Sequence, residues 1–159
     1  MQAQSKSKLV ATVLCAASLA AQAAGSIEVV WVEPDQYTDA GRTSSDREQA
    51  MHMLGEHLKT LGARLPAGQS LRLEVLDVDL AGEIRPMRWS GWQDVRVLRG
   101  GADWPHMSLR YTLLAQGRTL ASGQARLSDM NYLFKRRDGA LAYEKRMLDD
   151  WFRHTFAAP

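Results

Sequence analysis

Met107, Leu109, Tyr111 and Leu113 alternate with Ser108, Arg110 and Thr112, and this period of two commits the segment to a strand with one buried and one wet face. Gln116-Gly117 then offers a tight connection, so Arg118 to Leu127 returns as an antiparallel partner. The second run alternates less cleanly and carries Gly123, which marks an edge or a bulge. One apolar row on a hairpin is not a core. The rest of the chain has to supply further strands and a covering layer.

Ile27 to Val32 is a short β-branched run bounded by Pro34, the pattern of a buried strand that starts the sheet. After the polar loop Asp35 to Ser44, Ser45-Asp46-Arg47-Glu48 reads as a capping box. The helix it opens sets Ala50, Leu54, Leu58, Leu61 and Leu65 on one stripe, with Met51 and Met53 widening it and Pro66-Ala67-Gly68 ending it. Gly55 and Gly62 weaken that helix by up to about 1 kcal/mol each relative to alanine. A second helix, Leu141 to Phe156, carries Leu148, Trp151, Phe152 and Phe156 as its apolar stripe. Its opposite charges four apart, Arg146 with Asp150 and Asp149 with Arg153, read as solvated pairs.

Between these helices, Leu71, Leu73 and Val75 point one way before the apolar parity switches to Leu76, Val78 and Leu80, leaving Asp77 and Asp79 in the original row. A bulge near Val75-Leu76 is the cheaper solution, because an unpaired carboxylate in a core costs several kcal/mol. Asp94 to Arg99 supplies another short strand. The predicted architecture is a single α+β domain, a largely antiparallel sheet of about five strands with two helices on one face, in the order β-α-β-β-β-β-α. If the first two strands are parallel, the crossover through the first helix is right-handed.

The N-terminus bears on destination. Lys6 and Lys8 precede an apolar run of about 13 residues, Leu9 to Ala21, and Ala21, Ala23 and Ala24 offer a small-residue cleavage site. That is the pattern of a secretory signal peptide over residues 1–24, with residues 25–159 as the mature domain and the periplasm as destination. The run falls short of the roughly 20 residues a membrane span needs, so no membrane span is expected in the mature chain. Cys15 follows Leu14 rather than the small residue that precedes a lipidated cysteine, which argues against a lipoprotein.

Removal of that segment would take away the only cysteine, and with it disulfides, thiolate nucleophiles and cysteine-based zinc sites. It would also leave 18 of the 20 basic residues against 18 acidic ones, a neutral balance that speaks against a nucleic-acid partner. No cofactor motif is present, and no cofactor is expected.

Three blocks, VVWVEPDQYTD at Val29 to Asp39, LDVDLAGEIRP at Leu76 to Pro86 and LAYEKRMLDDWF at Leu141 to Phe152, together with SDMNYLF at Ser128 to Phe134, resemble the domain of unknown function 3016 family of exported bacterial proteins. The resemblance spans nearly the whole mature chain. It implies a small exported, periplasmic, single-domain protein, and it brings no reaction, cofactor or catalytic residue.

Candidate sites concentrate in Leu71 to Arg99. Trp89 and Trp92 lie in a loop with Arg85 and Arg88, and Trp104 lies in a second loop; indoles among arginines suit stacking on a glycan or on an envelope protein's apolar side chains. The same indoles could instead plug the open end of the sheet. Asp77, Asp79 and Glu83, with Asp94 nearby, are weak candidates for a metal site, since alternate residues on a strand lie about 7 Å apart and Asp79 to Gly82 has the composition of a turn. His52 and His57 are five apart and do not share a helix face as a ligand pair would. Ser90, Ser128, His106 and His154 fall in no catalytic motif. The sequence therefore favours a non-catalytic accessory or binding protein of the envelope, ahead of a carboxylate-based or metal-dependent hydrolase and of a purely structural role.

Overall fold

The computed structural model describes residues 24–87, 93–134 and 139–156. Over these residues the chain folds as an α+β domain of two helices, a four-stranded sheet and a separate two-stranded one. Among the described residues six strands thus replace the expected five or so, in two sheets rather than one, while the order of elements broadly matches the expectation. Strand β1 (Ser26–Trp31) runs parallel to β2 (Gln69–Asp79), which pairs antiparallel with β5 (His106–Ala115), and β5 in turn with β6 (Arg118–Ser128).

The added strand is β3 (Glu83–Met87), which pairs with β4 (Gln93–Val97) as a hairpin outside the main sheet. Its residues read as loop because Pro86 cannot donate to a ladder and only Ile84 and Met87 are apolar.

Helix α1 (Ser44–Gly62) begins earlier than its sequence suggested. Thr43 is the N-cap, accepting from the Asp46 amide at 3.1 Å, while the Asp46 carboxylate takes the Thr43 amide at 3.0 Å. Thr43-x-x-Asp46 competes with Ser45-x-x-Glu48 for the same role, and the shorter aspartate reaches the cap. Gly62 has a reason to be glycine: a Cβ there would stand 3.0 Å from the Ser26 Cα and the Ile27 amide, so its absence lets α1 lie close against β1.

The core is one cluster. Leu54, Leu58 and Leu61 of α1 and Leu148 and Phe152 of α2 (Ala142–Phe156) meet Leu71, Leu73, Val75, Val78, Met107 and Leu109 of the sheet. Both helices therefore cover the same sheet face. The β2–β5 register shifts between Val75 and Asp77, as the switch in parity required, which keeps Val78 in the core and turns Asp77 and Asp79 away from it. On the uncovered face Arg72 reaches Glu28 at 3.2 Å and Arg110 reaches Glu74 at 2.8 Å, a ladder of exposed pairs each contributing little.

Gly123 of β6 stands opposite Tyr111, and a Cβ there would lie 2.8 Å from the tyrosine hydroxyl. The missing side chain makes room for the Tyr111 ring, which packs edge-on against Trp151 and Phe156 at centroid distances of 6.0 and 5.3 Å. The irregularity foreseen in this strand is also present, since the register slips at Leu113/Leu114 and leaves Leu120 exposed.

The charges on α2 pair differently from the solvated i, i+4 scheme. Arg146 points inward, where it is 3% exposed, and binds Asp129 and the Tyr132 carbonyl. Asp149 joins His57 of α1 at 2.8 Å, and Arg153 pairs with Asp150. Tertiary packing selects the partners of Arg146 and Asp149, and only Arg153 with Asp150, three apart, pairs along the helix itself.

Glu144 is 2% exposed and accepts the Ala81 amide at 2.8 Å. Burial pushes its carboxyl above the ordinary value of 4.5, with the Ala81 bond and the Arg96 charge opposing. Because the folded protein then holds the proton more tightly than the unfolded chain, the stability linked to this group is fully present below pH 4.5 and is lost as the pH rises through the higher folded value. Glu144→Gln should therefore flatten the fall in melting temperature above pH 4.5 while keeping the acceptor for Ala81. Melting curves from acid to neutral pH test this, and an unchanged pH profile would refute it.

Candidate functional site

The parallel bridge between Asp39 and Asp79 extends the β1 side of the sheet past the end of β1. The Asp39 amide donates to the Val78 carbonyl at 2.9 Å and the Leu80 amide donates to the Asp39 carbonyl at 2.8 Å, so the backbone fixes both aspartates side by side. Their side chains meet different fates. Asp39 receives Arg96 of β4 in a two-pronged pair at 2.9 and 3.0 Å, and the same guanidinium donates to the carbonyls of Leu80, Ala81 and Gly82 at 3.0 to 3.3 Å. Arg96 thereby ties the β3–β4 hairpin to the end of β2. Gly82 completes the approach: its φ of +85° suits glycine, and a Cβ would collide with the Val97 carbonyl at 2.6 Å.

Asp79 faces His106 across the β2–β5 ladder, with Oδ2 3.5 Å from Nδ1, and among the described residues no direct hydrogen bond ties its carboxylate down. Burial pushes its carboxyl above the usual range, with His106 opposing and Asp39 and Asp77 adding to the rise. Trp104, half-buried, lies tilted against His106 at 5.6 Å between ring centroids. Beyond it, Asp103 receives the Tyr132 hydroxyl at 2.9 Å and the Arg99 amide at 2.7 Å. Desolvation raises the Asp103 carboxyl, but these hydrogen bonds outweigh it and hold the group below the ordinary value. Tyr132 moves the other way, to about 12, through burial and its bond to that carboxylate.

These groups surround a cleft of about 270 Å³ lined by Asp39, Asp79, Gly82, Glu83, Asp103 and Trp104. It unites three residues that the sequence had assigned to separate ideas: Trp104 as a stacking surface, and Asp79 and Glu83 as acidic candidates. Asp77 is not among them. It accepts the amide and hydroxyl of Thr38 at 2.8 and 2.9 Å and borders a different depression on the uncovered sheet face.

Glu83 and Arg85 pair with each other along β3, both exposed. Arg88, Trp89 and Trp92 lie outside the described residues. Among the described residues no group of three or more histidines, cysteines and carboxylates is placed to hold a metal ion, and no helix is long and apolar enough to cross a membrane.

In the sequence His106 falls in no motif and nothing singles out Arg96. The register that sets His106 opposite Asp79 follows from the bulge and the hairpin together, whereas the pairing of Arg96 with Asp39 spans 57 residues and has no local signature.

Fold and cleft together define a small α+β domain with an acidic, aromatic-walled recess at one end of its sheet. The chain belongs to the family described as protein of unknown function, DUF3016, whose model matches residues 25–154. Comparison with curated proteins and with solved structures gave no match.

Proposed function

We propose that the protein is an exported, periplasmic, non-catalytic binding module of the cell envelope, and that the Trp104 cleft takes a glycan. The observation that carries this reading is the half-buried Trp104 beside Asp79, an aromatic face next to a carboxylate that receives no direct hydrogen bond from the described residues. An indole offers an apolar platform for a sugar ring, and carboxylates accept from its hydroxyls; a few polar groups around an apolar wall is the usual makeup of a small-ligand recess. The other carboxylates are engaged, Asp39 by Arg96, Asp103 by Tyr132 and Glu83 by Arg85. They shape the recess and leave Asp79 as its open acceptor. The loop Arg85 to Gln93, with Trp89 and Trp92, is assigned by its sequence to the same contact surface.

One observation favours a second reading, a carboxylate-based hydrolase: Asp79 holds its proton more tightly than usual and stands beside an imidazole. Isolated peptidoglycan sacculi separate the two. A binding module is retained on sacculi and releases no soluble fragments, whereas a hydrolase releases them. Trp104→Ala should weaken retention about tenfold or more, with melting lowered by only a few degrees, because the ring is not part of the main core. Failure of the unaltered protein to be retained, or retention indifferent to Trp104→Ala, would refute the glycan cleft.

A further inference from the structure

We infer that the protein self-associates through β6, forming a two-fold dimer in which two copies join into one continuous eight-stranded sheet. β6 is an outer strand of the main sheet, with 11 residues against 6 in β1 at the opposite edge, and every residue along it is exposed or half-buried. Among the described residues no strand pairs with its outer edge, whose N–H and C=O groups form a template for another strand, and soluble proteins usually blunt such an edge with lysine, proline, inward charge or a bulge. Here the only interruption is near the hairpin end, at Leu120. From Ala121 to Ser128 the register with β5 is unbroken, and that stretch contains no lysine, proline or acidic residue.

The side chains select both the partner and the register. A strand pairing antiparallel with a copy of itself about a two-fold axis sets each residue opposite its mirror position. Centring on Gly123 sets the bulged Leu120 against Arg126 inside the ladder, centring on Ala125 leaves Leu127 facing Gly123 with no apolar side chain, and centring on Arg126 places two arginines face to face. Centring on Gln124 keeps the arginines apart and leaves Leu120 only at the outermost rung, opposite Ser128. It pairs Ala121 with Leu127 and Gly123 with Ala125 on the helix side, giving half-buried Leu127 an apolar neighbour. On the open side it sets Ser122 against Arg126 and the two Gln124 amides against each other, where they can exchange hydrogen bonds. No like charges meet, so the second copy is a compatible occupant without any rearrangement of the strand.

Sedimentation velocity of the purified protein over a concentration series tests this, with two variants at the exposed Ser122 that read the register. The unaltered protein should populate a dimer. Ser122→Asp places a carboxylate opposite Arg126 twice per dimer and should tighten association about two- to thirtyfold; Ser122→Arg places like charges there and should loosen it by a similar factor. Melting of the separated monomers should be nearly the same for all three. A monomer at every concentration would overturn the inference, as would a dimer whose affinity ignores the charge at position 122 or moves the opposite way. Should Ser122→Arg fold poorly, the tightening by Ser122→Asp still decides the matter.

Discussion

Phe152→Ala is expected to cost about 3 to 5 kcal/mol of unfolding free energy, among the largest effects of any single change in this chain. Phe152 is 2% exposed and lies 5.3 Å from the Phe156 ring, inside the cluster where α2 meets α1 and the sheet. Removing the ring forfeits its burial and leaves a cavity whose walls are held by two layers, so relaxation recovers little of the loss. For a chain of this size the melting temperature should fall by roughly 6 to 20 °C. Leu148→Ala, at 0% exposure in the same cluster, should cost about 2 to 5 kcal/mol. Chemical denaturation with unchanged m-value is the measurement, and a loss below about 1 kcal/mol for either variant would mean that α2 contributes far less to the core than its burial indicates.

The reason this prediction could be framed from residues alone is that amphipathic periodicity records burial directly. The stripe Leu148, Trp151, Phe152 and the rows Leu71, Leu73, Val75 and Met107, Leu109 each repeat at the period of their element, and each of these side chains is buried. Even the bulge was legible, because an apolar parity that switches within one strand leaves two aspartates that a core would not accept. Strand β3 was not legible for the converse reason. Its pairing with β4 stands apart from the main sheet and buries little, so its sequence, with Glu83, Arg85 and Pro86, carries no alternation to read.

The cleft shows the same division. Trp104, Asp79 and Glu83 stand out as residue types, but their convergence depends on a chain reversal at Gly82 and on a loop returning before β5. Buried ionic contacts were the least visible. Arg146 and Asp149 sit at spacings that fit solvated helix pairs equally well, and only the position of α2 against its neighbours decides that one turns to Asp129 and the other to His57. Local sequence specifies which charges exist; tertiary packing chooses which of them meet.

Arg96→Met should therefore be more damaging than its surface-like composition suggests, at about 3 kcal/mol. The substitution keeps an unbranched apolar side chain but strips Asp39 of its two-pronged partner and leaves the Leu80, Ala81 and Gly82 carbonyls without their shared donor. With side chains only 24% and 28% exposed, water replaces these contacts incompletely. Glu144 adds to the cost, since Arg96 is one of the charges opposing its burial. Adding Asp39→Asn to Arg96→Met should return part of the loss, because the stranded carboxylate is then gone, and the resulting cycle should show a coupling of about 1 kcal/mol or more. Amide exchange gives the local view: β3, β4 and the end of β2 should lose protection well before the β2–β5 ladder does. Simple additivity of the two substitutions, or protection lost evenly across the whole sheet, would show that Arg96 does not anchor the hairpin and that the acidic cleft owes its shape to other contacts.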